Sequence, residues 1–263
     1  MITLAAVLRS GAKPFVLPAV LIVAWAAFSA SRHGDASGML ASPAQFLSAL
    51  VGDTRSGFLP AAVAATLARA IAGFLVGASV GLVVGVALGL WRPIRLVVSP
   101  TIDSVRQIAL FAWIPLLSAW LGNGEAMKIT LISLGAFFPV ALATASACLM
   151  VGRPYLEVSR TLELDRLTEI RKIVLPAAAP AIVAGLELSL NIAWLGTIGA
   201  EYLIGTGYIN GMGDGIGAYL AQAREFARMD RILVGVLALA LVGLALDRSV
   251  AWLSRRMFPW QMR

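Results

Sequence analysis

The sequence predicts an all-α integral membrane protein, and three observations support this. Charged residues make up 13% of the 263 positions, against roughly 25% in soluble domains. Hydrophobic residues make up 59%, and the mean hydropathy is +0.86. The apolar positions are gathered in runs close to the ~20 residues that a helix needs to cross a bilayer. No polar stretch is long enough for a separate soluble domain, so a lipid bilayer is the expected surroundings.

The formal charge of +7 comes largely from arginines at the ends of the apolar runs. Positive charge in such positions sets the orientation of membrane helices. This favours a topological role over contact with nucleic acid, and no nucleic-acid partner is expected. With both chain ends in the cytoplasm, most Lys and Arg residues outside the spans fall on the cytoplasmic side. We therefore predict six transmembrane helices with both termini cytoplasmic.

Residues 1–60 are predicted to form an N-terminal transmembrane helix and an external loop. The helix is placed at Phe15–Ala30. Residues 1–30, with their basic N-terminal part, resemble a signal peptide, but no convincing cleavage site follows them and further apolar runs do. Within the loop, Ser42 and Pro43 suit the N-cap and the first position of a short helix.

Residues 61–263 are predicted to form the membrane core. The first of its spans carries glycines at positions 73, 77, 81, 85 and 89, which fall on nearly one helix face. Small residues at this spacing let two membrane helices approach closely, so close packing is predicted there. Pro115 and Pro139 are expected to interrupt the next two spans. The five spans are placed at about 61–91, 96–121, 129–151, 177–200 and 232–253.

A charged island, Arg153–Pro176, separates two of the most apolar runs. An ordinary connection between helices needs only a few residues, whereas this one is much longer, helix-compatible and too polar to enter lipid. The predicted topology places it in the cytoplasm. We interpret it as a helical docking element for a cytoplasmic partner, with a solvated connector as the alternative.

Polar side chains inside the spans are candidates for a translocation pathway, because such residues are costly in a membrane and often functional. Each also has a structural alternative. Arg106 could pair with Asp103, three residues earlier on the same helix face. Glu187 and Asn191 could form interhelical hydrogen bonds, and Glu201 could serve as a helix cap or a hinge. The candidates are Arg106, Gln107, Glu187, Asn191, Trp194 and Glu201.

A glycine-rich stretch, Gly205–Gly217, follows the fifth span. Glycine permits backbone conformations that other residues avoid. Irregular backbone is tolerated at membrane depth only where it is buried or lines a cavity. The stretch is interpreted as irregular backbone that re-enters the protein, with an external loop as the alternative, and whether it forms a gate stays open.

The residues needed for catalysis or metal binding are missing from the sequence pattern. His33 is the only histidine and Cys148 the only cysteine, too few for a typical zinc site. The phosphate-binding sequence GxxxxGK[ST] does not occur. No cofactor or metal is therefore expected in this chain, which is predicted not to be an enzyme. A stand-alone channel or secondary transporter, without an ATPase partner, is compatible with these absences.

The charged island resembles the cytoplasmic loop of permease subunits of binding-protein-dependent ABC importers. Their pattern is EAA, three residues, G, nine residues and I-x-LP. The family glycine falls at Glu163, which departs from the pattern. The matched positions are Glu157, Val158, Ser159, Ile173, Leu175 and Pro176.

Further blocks extend the resemblance over about residues 61–260. The glycine-striped span at about 61–91 is similar to the corresponding span of nitrate, sulfonate and taurine permeases. IPLLSAWLGNGEAMKI and LPAAAPAIVAGLELSLNIAW resemble later blocks of the same subfamily, and the sequence is most like the aliphatic sulfonate permeases.

This resemblance implies a type I importer permease fold with short cytoplasmic coupling helices in a bacterial inner membrane. It implies a second copy of the chain, a cytoplasmic ABC ATPase dimer that binds ATP and magnesium, and a periplasmic substrate-binding protein. ATP binding would switch the permease by alternating access. The expected substrate is a small oxyanion: aliphatic sulfonate first, then taurine or nitrate.

Overall fold

The computed structural model describes residues 20, 22–27, 29, 41–152, 161, 163–204 and 215–257. All regular secondary structure in these ranges is helical, which confirms the all-α prediction. Two short irregular turns also occur, a 3-10 turn at Leu110–Trp113 and a π-helical turn at Ile170–Val174. The helices are α1 (Pro43–Arg55), α2 (Phe58–Leu90), α3 (Arg92–Val105), α4 (Ile114–Leu121), α5 (Glu125–Leu149), α6 (Arg166–Glu169), α7 (Leu175–Ile204), α8 (Ile216–Glu225) and α9 (Met229–Met257).

Four helices in the described ranges are long and apolar enough to cross a membrane, and a bent pair brings the number to at most five. The four are α2, α5, a continuous helix over Arg166–Ile204, and α9. The predicted first span lies mostly outside the described residues, although residues 22–27 are helical. The multi-pass architecture is thus confirmed, while the count of six stays a prediction.

Helices α2 and α5 form the closest packing in the bundle, and the glycine stripe of α2 is the reason. A Cβ atom at Gly81 would lie 2.7 Å from the backbone oxygen of Phe137, and one at Gly85 would lie 2.6 Å from that of Ala141. A real Cβ cannot approach an oxygen so closely. The predicted close helix contact is confirmed, and α5 is the partner helix.

The predicted span 96–121 is interrupted in the structure, but the break precedes Pro115 rather than lying at it. Helix α3 ends at Val105, and the following segment Leu110–Leu121 runs at 93° to it. Pro115 stands in the first turn of α4, where its missing N–H has no helical partner to lose. It therefore starts a short helix rather than interrupting a long one.

The expected break at Pro139 is also wrong, because α5 continues through it to Leu149. Neighbouring side chains can satisfy backbone groups near a membrane proline. Near Pro139, the hydroxyl of Ser189 of α7 donates to the backbone oxygen of Ala136 at 2.7 Å, which joins α5 to α7 in this region.

The charged island does not end at Leu175–Pro176 as expected. Instead α6 continues through the π-helical turn into α7, giving one helix of 39 residues. A proline lacks the N–H of the ordinary helical bond and its ring clashes with the carbonyl four residues earlier. The widened turn immediately before Pro176 accommodates both effects. Residues 153–160, with Glu157, Val158 and Ser159, lie outside the described residues.

Helix α1 begins as predicted. The Ser42 side chain accepts a hydrogen bond from the backbone N–H of Gln45, the Gln45 side chain bonds back to Ser42, and Pro43 occupies the first turn. Buried Asp53 near the end of α1 accepts from Tyr219 of α8 at 2.8 Å and from Arg231 of α9 at 2.9 Å. These bonds join three helices at one end of the bundle.

Candidate functional site

The turn before α6 contains the first group of predicted site residues. Glu163 has a backbone φ of 49°, in the left-handed region that glycine adopts without steric cost. Two residues later, Asp165 caps α6 by accepting from the backbone N–H of Thr168 at 3.3 Å. Hydrogen bonds from Thr168 hold the pKa of the exposed Asp165 carboxyl below its usual range. The backbone conformation at Glu163 is thus one that glycine would adopt without steric cost.

Ile173 and Pro176, further along the same segment, face the end of α5. They line a cavity of about 740 Å³ together with Ala147, Met150 and Lys172. Leu175 packs on a buried cluster formed by α5 and α7. These contacts anchor the charged island to the membrane core at its C-terminal end.

The break between α3 and the next helix opens onto a second cavity, of about 540 Å³. Arg106 lines it, and Ser146 of α5 adds a hydroxyl group. The Arg106 Nε lies 3.3 Å from Asp103 Oδ1, and both side chains are about half exposed. The remaining lining is mainly apolar and includes Leu110, Trp113, Phe138, Leu142, Leu188 and Ile192. This arrangement suits an anionic group at Arg106 with an apolar part beside it.

A buried ionic cluster lies elsewhere in the bundle and is centred on Arg69 of α2. Its Nη1 donates to Glu201 Oε1 at 2.8 Å, while Nε and Nη2 donate to the two oxygens of Glu125 at 2.6 and 2.8 Å. The Arg69 side chain is 2% exposed and that of Glu201 1%. Lys128 lies 3.5 Å from Glu125, so positive and negative charges balance within the cluster.

The ionic cluster also fixes the start of α8. The backbone N–H of Gly217 donates to Glu201 at 3.0 Å, and that of Ile216 donates to Thr66 Oγ1 at 2.8 Å. Thr66 in turn donates to Glu201 at 2.9 Å. The end of the glycine-rich stretch is therefore held by Glu201, directly at Gly217 and through Thr66 at Ile216.

The structure brings few of the six predicted pathway residues together. Arg106 lines the 540 Å³ cavity, and the adjacent Gln107 is exposed. Glu187 is half-buried and Asn191 exposed. Neither of them lines the cavity, although the adjacent Leu188 and Ile192 do. Trp194 is buried.

Glu201 belongs to the ionic cluster rather than to a cavity wall. Arg69, Glu125 and Thr66 are the partners that sequence reasoning missed. An arginine within an apolar span was the available signal for Arg69. Glu125 and Thr66 carry no such signal, because their role depends on which helices pack together.

Curated relatives resemble this chain over about three fifths of its length. A Bacillus subtilis protein provisionally named an aliphatic sulfonates transport permease is 37% identical over 63% of this chain and 58% of its own length. The taurine transport system permease protein of Escherichia coli is 30% identical over 64% and 58%. The nitrate import permease protein of Synechocystis is 31% identical over 63% and 58%. The match thus spans less than two thirds of these relatives.

Two solved structures share the fold. An inward-facing methionine ABC transporter aligns with a TM-score of 0.56 at 23% identity, covering 71% of this chain and 92% of that one. An amino acid ABC transporter crystallised with histidines aligns with a TM-score of 0.62 at 15% identity, covering 79% and 97%.

The protein-family model described as binding-protein-dependent transport system inner membrane component matches residues 77–259 of this chain. The matched region contains both cavities, the broken span, the turn at Glu163 and the Glu201 end of α7. With this match over most of its length, the chain belongs to the family of binding-protein-dependent transport system inner membrane components.

Proposed function

We propose that this chain is the membrane-spanning subunit of an ATP-driven importer for a small oxyanion. The observation that carries the proposal is the family match over residues 77–259. Two copies would form the translocation pathway in a bacterial inner membrane, with both termini cytoplasmic. A cytoplasmic ATPase dimer would bind ATP and magnesium, and a periplasmic binding protein would deliver the substrate.

Aliphatic sulfonate is our first choice of substrate, followed by taurine and nitrate. The names of the relatives support an oxyanion, since they include sulfonate, taurine and nitrate permeases. The 540 Å³ cavity supports the order. Arg106 offers a guanidinium for a sulfonate group, and Trp113 and Phe138 offer apolar surface for a hydrocarbon chain.

The charged island would transmit ATP-driven movement to the membrane core. Its proposed contact residues with the ATPase are Glu157, Val158, Ser159, Glu163, Ile173, Leu175 and Pro176. Ile173 and Pro176 lie against the end of α5, so displacement of the island would move the helices beneath it. A rigid-body rearrangement of this kind would alternate access to the cavity between the two sides.

Purification of the chain from its native membrane tests the proposal. An ABC ATPase should co-purify, and Glu157→Lys should abolish both that association and substrate uptake. Glu225→Lys, at the end of α8 on the predicted external side, supplies a matched charge reversal and should leave the association intact. If no ATPase co-purifies and Glu157→Lys still imports sulfonate, the chain is a stand-alone transporter.

A further inference from the structure

A third cavity, of about 480 Å³, lies where α2 and α5 end and the charged island packs against them. The two helices are in close contact here, since a Cβ atom at Gly89 would lie 2.5 Å from the Cβ atom of Cys148. The end of α2 contributes Leu90 and Trp91 to the lining, and the island contributes residues of α6 and of the π-helical turn. The cavity is therefore built at the junction of three segments and is separate from the cavity lined by Arg106.

This cavity lies at the boundary between the hydrocarbon core of the bilayer and the headgroup region. The apolar helices α2 and α5 end at Leu90 and Leu149, and the segments that follow them are charged. Trp91 lines the cavity and is 40% exposed, and tryptophan is enriched where membrane proteins pass from lipid to water. A lipid molecule beside this end of the bundle therefore has its headgroup at the depth of the cavity.

The lining combines an apolar wall with one basic and one acidic side chain. Leu149 belongs to the apolar wall and is 49% exposed, so the wall reaches the surface of the bundle. Arg166 is the cation of the described lining, and Glu169 lies one helical turn further along. A guanidinium binds phosphate through parallel hydrogen bonds, and a carboxylate can accept from hydroxyl or ammonium groups. A free inorganic anion would leave the apolar wall without a partner.

We propose that this cavity binds a phospholipid of the surrounding bilayer, with the headgroup phosphate on Arg166 and the start of an acyl chain along Leu90, Trp91 and Leu149. Pockets with basic residues between membrane helices are suited to phospholipid headgroups. Glu169 would accept from the hydroxyl or ammonium group that the headgroup carries beyond its phosphate. The bound lipid would fill the space between the island and the ends of α2 and α5, whichever solute the protein transports.

Cys148 is a built-in reporter for this cavity, because it is the only cysteine of the chain and belongs to the lining. The residue is 7% exposed, so a thiol reagent has to enter the cavity to reach it. A lipid bound in the cavity would block that route. The rate at which a small water-soluble methanethiosulfonate modifies Cys148 therefore measures how much of the cavity is free.

The experiment follows this modification in the purified full chain in detergent, as dioctanoyl phosphatidylglycerol is added. We expect the lipid to slow the reaction, and inorganic phosphate at the same concentration to leave the rate unchanged because it has no acyl chain. Arg166→Gln should raise the lipid concentration for half-protection about tenfold, the effect of losing one charged hydrogen bond. Without lipid, its rate should equal that of the wild type, which would show that the cavity is intact. Cys148→Ser provides the blank.

Arg171→Gln is the matched control, because Arg171 is an exposed arginine of the same segment that is absent from the described lining. It should be protected like the wild type. Equal protection of the wild type and Arg166→Gln would overturn the phosphate contact. A rate that the lipid does not change, or protection by inorganic phosphate alone, would overturn the lipid site. None of these results alters the importer proposal, which co-purification of the ATPase tests.

Discussion

Arg69 of α2 and Glu201 of α7 form an almost completely buried ion pair, with Nη1 and Oε1 2.8 Å apart. The opposite edge of the same guanidinium binds Glu125 of α5. One arginine therefore joins three long helices. Since Glu201 also accepts from Gly217, the pair fixes the position of α8 as well.

Replacing Arg69 should destabilise the chain strongly. Arg69→Met leaves two carboxylates facing each other without their common cation, and breaking a buried pair costs about 3–5 kcal/mol. The loss can be measured as a lower midpoint of thermal unfolding in detergent. Exposed Arg92→Met is the matched control. A midpoint equal to that of the control would show that the cluster contributes little.

Adding a methyl group to the glycine stripe should separate α2 from α5. Gly81→Ala places a Cβ against the backbone of Phe137, which cannot move aside as a flexible side chain would. We expect a loss of about 1–3 kcal/mol. Gly52→Ala in α1, where nothing lies within 4 Å, should instead gain stability through helix propensity. Equal effects at both positions would contradict the close-packing account.

Arg106 is predicted to act in uptake rather than assembly. Arg106→Ala should reduce sulfonate uptake on the order of tenfold, the effect of losing one charged hydrogen bond, while ATPase association stays intact. Asp103→Asn, which removes its ion-pair partner but keeps the cation, should retain uptake. Parallel loss of uptake and association in Arg106→Ala would show a structural role.

Tyr219→Phe should change the stability of the chain at high pH. Burial raises the pKa of Tyr219 above its usual range, and its bond to Asp53 adds to the shift. The resulting stabilisation is complete below about pH 10, the pKa of an unperturbed tyrosine, and is lost as pH rises through the folded-state pKa.

Wild-type unfolding midpoints should therefore fall above about pH 10, and less so in Tyr219→Phe. At neutral pH the variant should lose about 1–2 kcal/mol, because Asp53 then lacks one of its two partners. Tyr202→Phe, which removes the hydroxyl bonded by Arg224, controls for loss of a tyrosine hydroxyl. Parallel pH profiles for wild type and Tyr219→Phe would refute the argument.

Sequence periodicity predicted the long helices well because lipid imposes a length and a hydrophobicity on each of them. The glycine stripe and the Ser42 cap were predictable for a similar reason, since each depends on local spacing alone. The positions of the helix breaks could not be predicted from local spacing. Proline marks a possible interruption, but whether Pro115 starts a helix or Pro139 is absorbed depends on neighbouring helices.

The ionic cluster was beyond sequence reasoning because its members are distant in the chain. Arg69 and Glu201 are 132 residues apart, and no spacing pattern relates them. The turn at Glu163, in contrast, was marked in the sequence, because the family pattern has a glycine at this position. The left-handed backbone conformation of Glu163 is one that glycine adopts readily.

The continuous helix Arg166–Ile204 has a mechanical consequence. At ~1.5 Å per residue, its 39 residues make a lever about 58 Å long, with Asp165 and the island turn at one tip and Glu201 near the other. A tilt of only ~10° about its midpoint would swing each tip by about 5 Å. In the proposed transport cycle, opening at one membrane face and closing at the other would then both follow from one change in the tilt of this helix. Where binding at each face depends on the tilt, a ligand at one face would change the affinity at the opposite face, and the second ligand would affect the first by the same factor.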